Sequence, residues 1–355
     1  MNAAQPGDTI VVSPGVYHED VSIPAGKDGL KLLSQRGAEA TTISGHSLGA
    51  SAPYSAVVDI ASSHVTLGGS HSGFTLTFGG DATLTSQTQL FGVNIGANGN
   101  VGNVEGTLVA GNVIRNLAST GSPLPQFGRV VGVAVTESDN TIITSNTLRD
   151  IAFVTAASTT DVYDYAVLFY GPNTNAVVTK NTIRGLRETG GACPGTGALA
   201  IALNDNLNGG VISKNDVAEV TGNCLAVGIS TSAHNGTVTI TDNRVSSVTS
   251  AANYGAALAL KPSGASVNVS GNELRASVSG IAVSLPLGVT SVIQENDIKG
   301  NGVGLYNASG ALVNATKNWW GCATGPNTAG CDTIVNIPPS TTASSPYLRT
   351  PVHRE

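Results

Sequence analysis

Charge is scarce in this sequence. Only 11% of the 355 residues are Asp, Glu, Lys or Arg, 5% are aromatic, and there is a single Met. Residues that favour helices are correspondingly few, and Val, Ile, Thr, Ser, Asn and 44 Gly point instead to strands and turns. No Lys/Arg cluster occurs and the net charge is −6, which argues against a nucleic-acid partner. No apolar run approaches the roughly 18 residues of a membrane helix, so no membrane span is expected. No CxxC pair is present and the His residues do not cluster with Cys, which argues against a zinc site. A basic start followed by an apolar stretch is also missing. The chain opens MNAAQPGDTIVV, which reads as the middle of a first turn, so a signal peptide and a capping segment are expected upstream. The apolar fraction, 41%, is nevertheless too high for a disordered chain.

What is present is repetition. A short phrase recurs: alternating apolar and polar residues, then Asn, then another short strand. AGNVIRNL, TSNTLRDI, TKNTIRGL and SKNDVAEV are examples. The repeated Asn falls at Asn112, Asn146, Asn181, Asn215, Asn243, Asn272, Asn296 and Asn318, with separations of 34, 35, 34, 28, 29, 24 and 22 residues. That drift suits a coil of three short strands and one variable loop. A first strand reads VGVAV (131–135) or AVLFY (166–170), a second NTIIT (140–144) or AVVT (176–179), and a third begins after the Asn.

Asn suits such a corner in two ways. It tolerates the left-handed backbone conformation of a sharp bend. Pointing inward, its amide can also bond the next coil, so that stacked amides form a ladder at about 4.8 Å per coil. The expected fold is all-β and single-domain: a parallel β-helix of about ten or eleven coils, roughly 50 Å long. Residues 1–110 read as irregular coils, 111–320 as the regular Asn-ladder coils, and 321–355 as a C-terminal cap and tail.

On this frame the four cysteines fall into two candidate pairs. Cys193 and Cys224 lie about one coil apart, and Cys322 and Cys331 share a Gly/Pro/Asn loop. Two disulfides would indicate an oxidising compartment. Four buried free thiols are the other reading.

The opening AAQPGDTIVVSPGVYHEDVSI resembles the entry coil of the pectin-lyase-like superfamily of right-handed parallel β-helices. Pro6, Gly7, Asp8, Thr9, Ile10, Pro14, Gly15, Tyr17 and Glu19 carry the likeness. Asn318–Trp319–Trp320–Gly321 resembles a phrase that closes β-helix domains of microbial surface proteins. Its two indoles either cover the last apolar coil or offer a sugar-stacking platform. The resemblance implies an extracellular or cell-surface protein, with polysaccharide or cell-surface glycan as partner. It does not choose an activity. The polygalacturonase and epimerase signatures are absent, and neither a pectin-methylesterase pair nor a pectate-lyase calcium triad is recognisable.

The resemblance also implies a ligand groove along the first sheet, walled by loops. Asp161, Tyr163, Asp164 and Tyr165 enter one first strand, with Arg187 and Glu188 one coil later and Arg129 one coil earlier. These are the candidate catalytic residues, with Arg129, Phe169, His234 and Lys261 as candidate substrate-binding residues. An Arg on a uronate carboxylate beside a Tyr or carboxylate base would make a lyase. Two carboxylates at glycosidase spacing would cleave hydrolytically. A salt-bridged loop cluster is the plain structural alternative. No cofactor is implied and no metal motif is present. His18, His46, His64 and His71 with Asp20, Asp59 and Asp81 match no ligand spacing, and Asn204–Asp205–Asn206 reads as an Asx turn before a calcium site. Two functions stay open: a non-catalytic surface module that binds polysaccharide or acts as an adhesin or lattice element, and a polysaccharide lyase or hydrolase. The oligomeric state is left open.

Overall fold

The computed structural model describes residues 1, 3–46, 54–79, 89–96, 103–120, 128–154, 161–190, 192–204, 207–310 and 312–353. Among them there is no helix, only short strands in three parallel sheets. One coil shows the plan. Gly128–Thr136 lies in the first sheet, Ile142–Thr144 in the second and Thr147–Val154 in the third. The next coil then begins with Val162–Tyr170, which pairs in parallel with Gly128–Thr136. The first, second and third sheets hold 11, 14 and 10 strands. Parallel strands joined by crossovers wind right-handed. The fold is therefore a right-handed parallel β-helix, as the repeat predicts.

Period-two alternation sends one residue set inward. Ile143, Val178, Ile212, Ile240, Val269 and Ile293 stack in register along the second sheet, each at most 1% exposed. Leu148, Ile183, Val217, Val245, Leu274 and Ile298 do the same along the third. Burying one such side chain contributes roughly 1.5–3 kcal/mol, and the interior is built almost wholly of them.

All eight predicted asparagines align in one column at the corner between the second and third sheets. Each donates from Nδ2 to Oδ1 of the next, at 2.9–3.2 Å, from Asn112 through to Asn318. The same Oδ1 accepts the backbone N–H of the preceding rung at 3.0–3.1 Å. All eight are buried, so every amide atom needs this partner. Fully buried Phe74 stands above the first rung, its N–H donating to Asn112 Oδ1 at 2.9 Å.

The expected backbone role of these asparagines is corrected. None of them takes a positive φ. The residue just before each one does: Gly111, Ser145, Lys180, Lys214, Asp242, Gly271, Glu295 and Lys317, at φ 55–67°. The Asn is there for its amide, and the bend falls on the residue before it.

Both expected disulfides are formed. Cys193–Cys224 ties adjacent coils with Cα atoms 5.4 Å apart, and Cys322–Cys331 closes a C-terminal loop at 5.3 Å. Trp320 is fully buried and closes the C-terminal end of the interior. No helix long and apolar enough to cross a membrane occurs among the described residues.

Candidate functional site

The outer face of the first sheet carries three columns in register. Arg129, Tyr163, Gly197, Leu225 and Tyr254 form one. Phe91, Val131, Tyr165, Leu199, Val227 and Ala256 form the second. Ala134, Leu168, Ala202, Ser230, Ala259 and Ala282 form the third. This face is apolar and aromatic, unlike a solvated sheet face. Small inward residues in mid-strand make it possible. The register skips Gly132 opposite Ala166, and a Cβ on Gly132 would lie 2.5 Å from the Ala166 carbonyl oxygen. The alternation thus shifts mid-strand, and Val131 and Ala134 both face out.

On the middle coils this face is buried: Val131 and Leu168 are fully covered and Tyr165 is 4% exposed. Farther along it opens into a groove of about 460 Å³. Its floor is Leu199, Val227, Ala256 and Ala259; Tyr254, Tyr306 and Lys261 stand at its sides. Tyr254 is 69% exposed and Tyr306 38%, so both rings are available to a ligand.

The predicted site residues are divided by this geometry. Arg129, Tyr163 and Tyr165 come together on the outer face. The two phenol rings are 6.1 Å apart, and the Arg129 guanidinium lies 5.6 Å over the Tyr170 ring. Asp161, exposed, sits at the strand entry with φ 60°. Asp164 faces the interior instead, fully buried, and accepts the Phe153 N–H at 2.9 Å. Glu188 is also fully buried and accepts the Asn223 N–H at 2.8 Å. Arg187 projects to solvent from the third sheet, one residue from Glu188 and on another face of the helix. Phe169 fills the core with no exposure, so it is out of reach of an outside ligand. His234 is exposed on the loop that follows the strand Leu225–Thr231. Lys261 alone of the predicted residues lines the open groove.

Electrostatics follow this placement. Burial pushes the Asp164 carboxyl well above the usual carboxylate range, and the nearby Glu188 charge adds to it. Burial raises the Tyr163 phenol, with Asp161 adding and Arg129 opposing. Tyr165 is pushed up to about 12, again by burial, against the opposing charge of Arg129. Both phenols therefore hold their protons at neutral pH.

Sequence reading missed two residues of the groove and weighed a third, Asp59, only as a metal candidate. Nothing local in the sequence marks Tyr254 and Tyr306, and only register places them across one groove. Asp59 lies on the same outer face, where Asn94 Nδ2 donates to its Oδ1 at 2.8 Å. Burial raises its pKa, against the hydrogen bonds from Asn94 and Tyr54. No group of three or more His, Cys, Asp or Glu is placed to hold a metal among the described residues. Asp81, Asp205 and Asn206 lie outside them.

With this geometry in place, the chain can be set beside known proteins. The catalytic unit of a GH87 α-1,3-glucanase from Streptomyces thermodiastaticus is similar over 98% of this chain at 14% identity, with a TM-score of 0.36. This chain spans 65% of the length of that unit. Two mannuronan C-5 epimerase A-modules from Azotobacter vinelandii are similar over 97% of this chain and 91% of theirs, at 14% identity and TM-scores of 0.36 and 0.37. At that identity the likeness concerns the fold alone. No family model matches the sequence, nor does any curated protein sequence.

Proposed function

We propose that this protein is an extracellular or cell-surface module that binds a polysaccharide chain along the outer face of the first sheet. One observation carries the reading: an open groove with an apolar floor, flanked by two exposed tyrosines and a lysine. Apolar surface with a few placed polar groups suits a pyranose, which offers a flat C–H face and a polar rim. Among the described residues no carboxylate lines this groove, and the Asp164 and Glu188 carboxyls of the middle coils are turned inward onto backbone N–H groups. That favours binding over bond cleavage. The two disulfides support an oxidising, extracellular setting.

The test is affinity electrophoresis against neutral and acidic polysaccharides. Retardation by at least one is expected, with Tyr254→Ala and Tyr306→Ala each weakening it about tenfold. A wild-type protein retarded by none would overturn the reading. The proximity of Arg129 to Tyr163 and Tyr165 supports a second reading, a lyase. It would take precedence if the protein released unsaturated ends from a polyuronate and Tyr165→Phe abolished the release.

A further inference from the structure

The two indoles of the closing phrase have separated. Trp320 turns inward and is fully buried, whereas Trp319 turns outward and is only half-buried. Trp319 lies on the third sheet, bridged in parallel to Asp297. It lines a second cavity, of about 470 Å³, on a face that the groove of the first sheet does not reach. Register supplies the surroundings. Arg244, Glu273 and Asp297 form one outward column that ends at Trp319, and Arg275 and Lys299 form the next.

The charges in this cavity are unevenly matched. Glu273 takes both arginines, with Arg244 Nε 3.4 Å from one carboxylate oxygen and Arg275 on the other. The Asp297 carboxylate is occupied by the chain's own tail: it accepts the N–H groups of Val352 at 2.7 Å and His353 at 2.9 Å. His353 Nδ1 adds a contact at 3.2 Å. Among the described residues, Glu273 is thus engaged by the two arginines and Asp297 by the tail, which leaves Lys299 as the cation of this lining not paired with either carboxylate. Lys299 is exposed and has no ion pair among the described residues. An aromatic platform beside a free ammonium and two clamped guanidiniums is suited to a ring that carries negative charge.

We infer that this cavity is a second glycan site, specific for a sugar unit bearing a carboxylate or sulfate, with Trp319 under the ring and Lys299 on the anionic group. It stands independently of the groove on the first sheet. The chain has only two tryptophans and one is sealed in the core, so its fluorescence reports this site directly. Titrating the full chain with hexagalacturonate or a heparin hexasaccharide is expected to change the emission saturably, with maltohexaose having no effect. Lys299→Gln, a change at an exposed side chain, is expected to weaken that response about tenfold or more, the loss of one charge-assisted hydrogen bond. Tyr254→Ala, in the other groove, is expected to leave it unchanged. Three results would overturn the inference: no emission change with either anionic hexamer, an equal change with maltohexaose, or an unaltered response in Lys299→Gln. Because Tyr254→Ala serves as the control, failure here is separable from failure of the groove reading.

Discussion

Asp164 shows how much one buried group can govern. Its carboxyl is enclosed, bonded through one oxygen to the Phe153 N–H, and desolvation raises its pKa well above the usual carboxylate range. Because its folded pKa lies above the unfolded value, it contributes stability that is full below about pH 4 and lost as pH rises through the raised pKa. Asp164→Asn keeps the acceptor and removes the titration. Thermal melts of the variant are expected to depend less on pH over that window than those of the parent. Lys180 offers a simpler case. It is exposed and holds φ 57°, a conformation that costs a non-glycine residue about 1 kcal/mol or more. Lys180→Gly is expected to leave stability unchanged or raise it by up to about 1 kcal/mol, and Lys180→Val to lower it, both read by urea denaturation. The inward turn of Asp164 is readable in the sequence, since Val162 and Asp164 alternate with Tyr163 and Tyr165. Residue type alone groups all four wrongly; parity separates them.

The ladder is the element that holds the coils in phase. Each Oδ1 accepts two N–H groups, so losing one amide strands a buried backbone donor and a neighbouring Nδ2. Asn215→Ala, in the middle, is expected to destabilise by about 2–4 kcal/mol. Asn112→Ala, at the first rung, strands the Phe74 N–H but no neighbouring Nδ2 and should cost less; chemical denaturation of the two variants checks the order. This element is plain in the sequence because a single residue type at a single corner recurs where side-chain and backbone demands coincide. The placement of the bend was not, since Ser, Lys, Asp, Glu and Gly share the left-handed position with no common chemistry. A second inward polar column, at the corner between the third and first sheets, was equally hidden. Ser277, Asn301 and Asp332 make it, and on earlier coils Asp164 and Glu188 also accept backbone N–H groups at that corner, so no single letter marks it.

Over the whole molecule, fold and site differ in how far the sequence discloses them. The coil follows from local alternation, and the disulfides follow from coil length once the winding is known. The open groove depends instead on which outward positions of five successive strands stay uncovered, and that is settled by burial at long range. Tyr254 and Tyr306 are 52 positions apart in the sequence yet border one cavity. Reduction of the protein is expected to lower its melting temperature, with Cys193→Ser/Cys224→Ser costing about 2–4 kcal/mol, since that bridge closes a loop of 31 residues. The nine-residue loop of Cys322–Cys331 should contribute less.

Every rung of the amide column makes the same bond to the one beyond it, so length is a property this scaffold can change in whole storeys. Excising residues 243–271 would bring Asp242 against Asn272, letting one amide take over its neighbour's role with the phase of the winding kept. Removing half as many residues would leave the amides pointing at apolar side chains. Growth and shrinkage by complete turns, and by nothing smaller, is the rule that this column imposes on any lineage or design that uses it.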